Sequence, residues 1–182
     1  MKRMTTKELL AASFRELAEQ KAIDKITVKE IADNCGYSTA TFYRHFHDKY
    51  DLIAWEYAEA TAKIMGHING NSYPWRQTLL AGAGHYAAQK DYLTNLFLHT
   101  SGHDSFIRYM TEINYAALKK HLGSLQIGEE GEKNLDMYIR LYCLGTVSFT
   151  CEWILGRYTA TAEEIALVYE QALPEPLKKY LY

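Results

Sequence analysis

Between Thr27 and Ser38 the chain signals one helix start, one stop and a second start within twelve residues. Thr27 and Glu30 have the spacing of a capping box. The Thr oxygen takes one free backbone N–H, and the carboxylate three residues on takes another. Ile26 and Ile31 bracket that start as a hydrophobic staple. Asn34-Cys35-Gly36 then reads as a stop, because Gly36 is free to take positive φ. Ser38 or Thr39 offers the next cap. The helix between the two signals must therefore be short, and its joint to the following helix tight.

The neighbouring segments are helical too. Thr5 and Glu8 form another capping box, followed by Leu10, Phe14, Leu17 and Ala18 on one face of a helix that should end near Lys21. The third helix should run from Ser38 or Thr39 to about Phe46. Asp48 can cap a longer fourth helix that carries Leu52, Ile53, Trp55, Ala58 and Ala62 and fades at the loop-like "GHINGNSYP". Further helices are expected near 74–90, 91–100, 103–122, 131–157 and 161–172, the last behind a third capping box at Thr161–Glu164, with a short tail from Pro174. The three prolines lie outside the best helical patterns. The expected fold is all-α: an N-terminal three-helix helix-turn-helix domain over 1–47, joined by a long helix to a C-terminal helical bundle within 48–182.

In a helix-turn-helix the second helix of the pair enters the major groove. Here Ala32 is small where the two helices approach, Tyr37 packs inward from the turn, and Phe42 and Phe46 anchor the third helix. Thr39, Ala40, Thr41, Tyr43 and Arg44 then face outward. Short Thr and Ala side chains let the backbone approach a groove, where a Thr hydroxyl bonds a base edge and its methyl meets thymine. Tyr43, His45 and Lys49 offer donors to phosphates, as does Thr27 at the preceding helix start, and Ser38 stands with them. Net charge is −2, and residues 1–55 carry nine Lys/Arg against eight Asp/Glu. Binding to DNA must therefore rest on placed contacts, not on a bulk field.

The stretch "TVKEIADNCGYSTATFYRHFHDKYDL" resembles the DNA-binding domain of TetR-family transcriptional regulators over roughly residues 5–55. Turn, aromatics, Lys49 and Leu52 are all in register, while Cys35 stands where a smaller residue, often Ala, is common. The resemblance implies DNA contacts from Thr27, Thr39, Thr41, Tyr43, His45 and Lys49, a homodimer on a near-palindromic double-stranded operator, and repression as the default. "KDYLTNLFLHTSGHDSFIRYM" and "EWILGRYTATAEEIALVYEQALP" resemble, more loosely, the C-terminal domain of regulators of dihydroxyacetone-kinase operons. That subgroup implies an alternative: a coactivator or protein-interaction module working with a kinase-like partner.

From Leu135 onward apolar residues occupy nearly every bearing of one long helix, so it must be covered on both sides. One side faces its own domain. The other is expected to meet a second subunit through Leu144, Val147 and Ile154, with Ile165, Val168 and Tyr169 from the next helix, as a two-fold four-helix interface. Fifteen Tyr raise a second expectation. Tyr86, Tyr115, Tyr138 and Tyr142, with Phe97, Phe149 and Trp153, could line a cavity for a small, partly apolar effector; equally, the rings could pack the core and cap it with their hydroxyls.

Other chemistry finds little support. His45 and His47 sit at i and i+2 and point apart on a helix, and the spacing of His85, His99 and His103 matches no ligand set, so no metal is expected. Cys143 and Cys151 are about 12 Å apart by helix rise, too far for an intrachain disulfide; reduced thiols suit a cytoplasmic protein. Glu129, Glu130 and Glu132 suit a helix start. The N-terminus "MKRMTTKELL" lacks an apolar run and no segment is long enough to span a membrane. No phosphate loop, G-x-S-x-G or H-E-x-x-H occurs, and no cofactor or enzymatic activity is expected.

Overall fold

The computed structural model describes residues 4–66, 74–102, 105–123 and 129–182, with side chains of the last stretch from 134 onward. The loop expected between residues 67 and 73, His103 and the acidic side chains at 129–132 lie outside the described residues. All regular structure among the described residues is helical. Helix α1 (Thr6–Ala18), α2 (Val28–Asn34) and α3 (Thr39–Tyr43) form the N-terminal unit, and α4 (Lys49–Gly66) leads out of it. The bundle comprises α5 (Trp75–Ala88), α6 (Lys90–His99), α7 (Phe106–Gly123), α8 (Glu129–Ile154), α9 (Ala162–Gln171) and α10 (Glu175–Leu181).

All three capping boxes form, at Thr5–Glu8, Thr27–Glu30 and Thr161–Glu164. Gly36 has φ 73°, and the Tyr37 and Gly36 amides donate to Ala32 O (2.9 Å) and Asp33 O (3.1 Å). That pair of bonds is a Schellman stop, and it turns the chain at once into α3. Gly156, at φ 83°, does the same for α8: the Arg157 and Gly156 amides donate to Glu152 O and Trp153 O. This stop ends α8 at Ile154, before the expected 157. Helix α1 ends at Ala18 and not Lys21, because the chain turns into a short 3-10 helix, Ile23–Lys25, with no periodic signature. Helix α3 is shorter than expected: beyond Tyr43 it loosens to a turn in which the His45 and Phe46 amides both donate to Phe42 O.

Helices of five and seven residues are unstable alone, so α2 and α3 depend on burial. Phe14, Ile23, Ile31 and Phe42 are completely buried, and Phe46 nearly so. The buried Ser13 hydroxyl donates to Ile31 O at 2.7 Å, tying α1 to α2. Truncating Phe42 would cost about 3–5 kcal/mol. This core does not stop at residue 47. It continues through Leu52, Ile53 and Tyr57 of α4 to Leu93, Phe106, Met110, Val147, Ile154 and Ile165. A second cluster, built from Trp75, Leu118, Leu122, Leu135, Ile139, Tyr142, Leu173, Leu177 and Leu181, closes the far end of the bundle. Helix α5 lies along α9, while α7 packs against both α4 and α8.

Candidate nucleic-acid interface and C-terminal cavity

The outward residues of α3 fall into two groups. Thr39, Ala40, Tyr43 and Arg44 are exposed, Tyr43 to 60%, and Thr41 and His45 are half-exposed beside them. The Tyr43 ring is braced edge-on by the buried Phe42 ring (5.6 Å, 83°). The basic groups at Lys21, Lys25 and Lys29 are each ion-paired, to Glu30, Asp24 and Asp33. Arg44 has no ion pair among the described residues, so its guanidinium is available to an outside acceptor.

The remaining predicted contact residues are already engaged within the protein. Ser38 accepts from the Thr41 amide (3.2 Å) and shares a hydrogen with the Thr41 hydroxyl (3.1 Å). The Thr27 hydroxyl accepts from the Glu30 amide and donates to its carboxylate at 2.8 Å. Lys49 departs furthest from expectation. Its ammonium donates to Ile23 O (2.9 Å), Asp24 O (2.9 Å) and Ile26 O (2.8 Å), which accounts for all three of its hydrogens. Burial pushes its pKa down, opposed by Asp24, Asp48 and Glu30. In this arrangement Lys49 holds the 3-10 turn to the start of α4 and has no hydrogen left for a phosphate.

Helix α6 fastens this head to the bundle through a residue that the sequence reading missed. Asn95 donates to Ala18 O (2.8 Å) and Lys21 O (2.9 Å) and accepts from the Ile23 amide (3.1 Å), so one side chain satisfies the end of α1 and the 3-10 turn. A low-propensity Asn amid the apolar residues of "DYLTNLFLH" was the available signal. One turn earlier, Tyr92 donates to Glu56 (3.0 Å), Glu56 pairs with Arg15, and Arg15 lies over the Tyr92 ring at 4.3 Å. Helices α1, α4 and α6 meet in that cluster.

A cavity of about 100 Å³ opens between α4, α5, α7, α8 and α9. Of the expected lining residues it takes Tyr86 and Tyr142. Phe97 instead packs on Phe106 (5.5 Å), Phe149 stacks on Tyr158 (5.0 Å), and Tyr115 is half-buried against the second cluster, bonded to Asp136. Tyr138 is exposed, and the Trp153 indole donates to Ala160 O at 3.0 Å. The Tyr86 hydroxyl lies 2.7 Å from that of Tyr57 in α4, and Tyr57 donates to Asn114 in α7 (2.8 Å), so one hydroxyl links three helices at the cavity wall. Burial raises the pKa of both phenols, keeping them neutral. Burial also raises Cys143 in the same wall to about 12, so its thiol is protonated and unreactive.

The apolar side of α8 is displaced from the one expected. Val147, Ile154, Ile165 and Tyr169 are buried inside the protomer, because they face α5, α6 and one another. Only Leu144 and Val168 of the six predicted interface residues are exposed. They belong to a different stripe: Met137 (62%), Leu141 (66%) and Leu144 on α8, Leu155 just past its end, and Leu167 and Val168 on α9. The spacing 137, 141, 144 keeps these residues on one face.

Residues 9–54 match the bacterial regulatory proteins of the tetR family. Over 81 residues the chain is 30% identical to the HTH-type dhaKLM operon transcriptional activator DhaS of Lactococcus lactis subsp. lactis (strain IL1403), a match spanning 43% of this chain and 42% of that protein. The curated relative is thus matched over less than half its length. In fold, the chain resembles a solved dihydroxyacetone kinase operon activator DhaS (TM-score 0.64, 18% identity, 94% of this chain and 95% of that one). It also resembles the TetR family repressor AlkX from Dietzia sp. strain DQ12-45-1b, implicated in biodegradation of n-alkanes (TM-score 0.57, 18% identity, 98% of each chain).

Proposed function

We propose that this protein, which belongs to the tetR family of bacterial regulatory proteins, binds a near-palindromic operator as a two-fold dimer and has its affinity set through the C-terminal domain. It is a transcriptional regulator and not an enzyme. The observation that carries the reading is the division of labour on the head. Thr39, Ala40, Thr41, Tyr43, Arg44 and His45 form an outward face, while Thr27, Ser38 and Lys49 spend their polar atoms shaping it. In our reading the first group meets DNA, with Thr39 to Thr41 at base edges and Tyr43, Arg44 and His45 at phosphates. The second group positions α3.

The two-domain division at residues 47 and 48 enters the proposal as a mechanical one. The head moves with α4, and Asn95 and the Arg15–Glu56–Tyr92 cluster set its angle. Dimerisation uses the exposed stripe of α8 and α9, so that two α3 helices reach successive major grooves about 34–36 Å apart. A small effector at the cavity touches Tyr86 and Asn114, whose shared partner Tyr57 lies on α4. It changes operator affinity only by the difference in its own affinity for the two head spacings. Such a regulator works in the cytoplasm, where its DNA is. Among the described residues, no helix is long and apolar enough to cross a membrane. The named relatives include activators and a repressor. The sign here is set by where the operator lies relative to the promoter.

The test is fluorescence anisotropy of the full chain on its own upstream DNA, beside scrambled DNA, across a salt series. The reading expects two subunits per site and a specific affinity at least 10³-fold above the scrambled control. Equal affinity for both DNAs, with the protein already dimeric, would overturn it.

A further inference from the structure

Four residues of the described core are buried polar ones: Ser13, Thr78, Thr111 and Thr150. Three of them donate to a backbone carbonyl: Ser13 to Ile31 O, Thr111 to Ile107 O and Thr150 to Thr146 O. Thr78 is different. It is 3% exposed and its hydroxyl has no partner, although the carbonyl one turn back is the ordinary acceptor for a helical Thr. The other unpartnered buried polar atom among the described residues is the Trp75 indole nitrogen, three residues earlier on the same helix. Both residues line the C-terminal cavity. Leaving a buried donor unmet is costly, and native interiors rarely do so without reason.

Most of the other hydroxyls of the wall have their protons assigned. Thr150 donates to Thr146 O, so the close contact between Tyr169 and Thr150 (2.6 Å) has Tyr169 as donor. Thr146 and Tyr142 donate to the carbonyls of Tyr142 and Tyr169. Tyr57 donates to Asn114, so Tyr86 donates to Tyr57. The Trp75 N–H and the Thr78 hydroxyl are the buried donors of the wall that complete no hydrogen bond, three residues apart on α5, with the Tyr142 hydroxyl a neighbour of the indole. The lining holds no Asp, Glu, Lys, Arg or His. A charged guest would be desolvated there with no counter-charge. A cavity of about 150 Å³ accepts benzene, so about 100 Å³ suits roughly four to five non-hydrogen atoms.

We infer that the cavity is a binding site for a small uncharged carbonyl or hydroxyl compound of about that size, whose oxygen accepts from Trp75 and Thr78 while its carbons face Leu79, Leu118 and Val147. The inference rests on the proposed effector role of this cavity and names the chemistry of its guest.

Butan-2-one, with one acceptor and no charge, is a suitable probe, and butyrate and n-butylammonium are its charged counterparts. The readout is the indole N–H signals in a 1H–15N spectrum of the full chain. The chain has three Trp, and Trp75→Phe identifies the relevant peak. Butanone should move the Trp75 signal saturably and leave that of Trp153, already bonded to Ala160 O, in place. Thr78→Val, which keeps the shape, should raise the midpoint about five- to tenfold, and Thr78→Ser should restore it within about twofold. The charged probes should bind at least about tenfold more weakly. No saturable shift of Trp75, an equal response to butyrate, or an unchanged midpoint in Thr78→Val would each overturn the inference. Anisotropy on the same preparation separates the two readings. Specific operator binding with an unresponsive Trp75 removes the guest and leaves the regulator. A responsive Trp75 in a dimer that does not discriminate operator removes the regulator and leaves the guest.

Discussion

The head and the bundle of this molecule are both helical, yet they are built by different means. In the head each element is specified within a few residues: capping boxes at Thr5 and Thr27, a Schellman stop at Gly36 and a serine cap at Ser38. Its outward face follows from the same short stretch, since Phe42 and Phe46 fix which side of α3 looks in. In the bundle, α5 and α6 begin without any side-chain cap, and the cavity forms where five helices meet. A site on one element can be read from that element's periodicity. A site between elements depends on the rotation of each helix about its axis, which an all-round apolar sequence leaves open.

Helix α8 makes the sharpest test of that contrast. Leu141 and Val147 lie two turns apart or less, one 66% and the other 1% exposed. Leu141→Glu should leave the helical content intact, convert a dimer to a 20.9 kDa species in sedimentation, and reduce operator affinity by about 10²-fold or more as joint binding of two half-sites is lost. Val147→Ala should do the opposite, costing roughly 2 kcal/mol in urea melts while the dimer persists. Dissociation by Val147→Ala with a silent Leu141→Glu would put the interface back on the face that the sequence suggested.

The interface and pocket errors share one physical origin. The sequence reading identified that α8 is apolar on both sides, and it is. Choosing Val147, Ile154, Ile165 and Tyr169 for a partner subunit required knowing which side α5 and α6 would cover. Likewise, seven aromatics were grouped as a pocket by residue type, whereas seven of the eighteen residues that line the cavity are Thr, Ala or Gly, small side chains that leave space. Tyr86 and Tyr142 were in the group because Tyr is common in this bundle. Trp75 and Thr78, whose unpaired donors give the cavity its chemistry, carry no local signal. The fold class, the helix order and the α3 face, by contrast, were legible from caps, turns and helical periodicity.

Lys49 sharpens the comparison from inside the head, where a correct register still concealed a role. Three backbone carbonyls lose a charged donor in Lys49→Met, Ile23 O keeping only the Ile26 amide, so the head should be destabilised by about 2–3 kcal/mol. The salt slope of operator binding should stay unchanged. If Lys49 instead met a phosphate, the slope would fall by about 0.9 with little loss of stability. Tyr43→Phe is the complementary case. The exposed hydroxyl contributes nothing to the fold, so urea melts should match wild type within about 0.5 kcal/mol. Affinity should drop about three- to tenfold on operator and scrambled DNA alike. A stability loss in Tyr43→Phe, or a selective loss on operator alone, would contradict the assignment to phosphate.

The smallest expected effect concerns the capping box that opens α2. Lys21, the Thr27 amide and the Thr27 hydroxyl hold the Glu30 carboxyl down to about 2. Its pKa when folded is below its value when unfolded, so the native state binds the proton less well. The stabilisation is therefore complete above the unfolded value, near 4.5, and disappears as pH falls toward 2. Glu30→Gln keeps the shape and a hydrogen-bonding end but has no titration in this window. Urea melts of the two proteins should differ most at pH 6 and converge as pH approaches 3. Because the group is at the surface, added salt should narrow the gap at pH 6 by screening the Lys21 contribution, while the bonds to Thr27 remain. A gap that stays constant from pH 6 to pH 3 would mean that the box holds α2 by shape alone. The head would then owe its order less to the charge of its caps than to Phe42 and Phe46 beneath them.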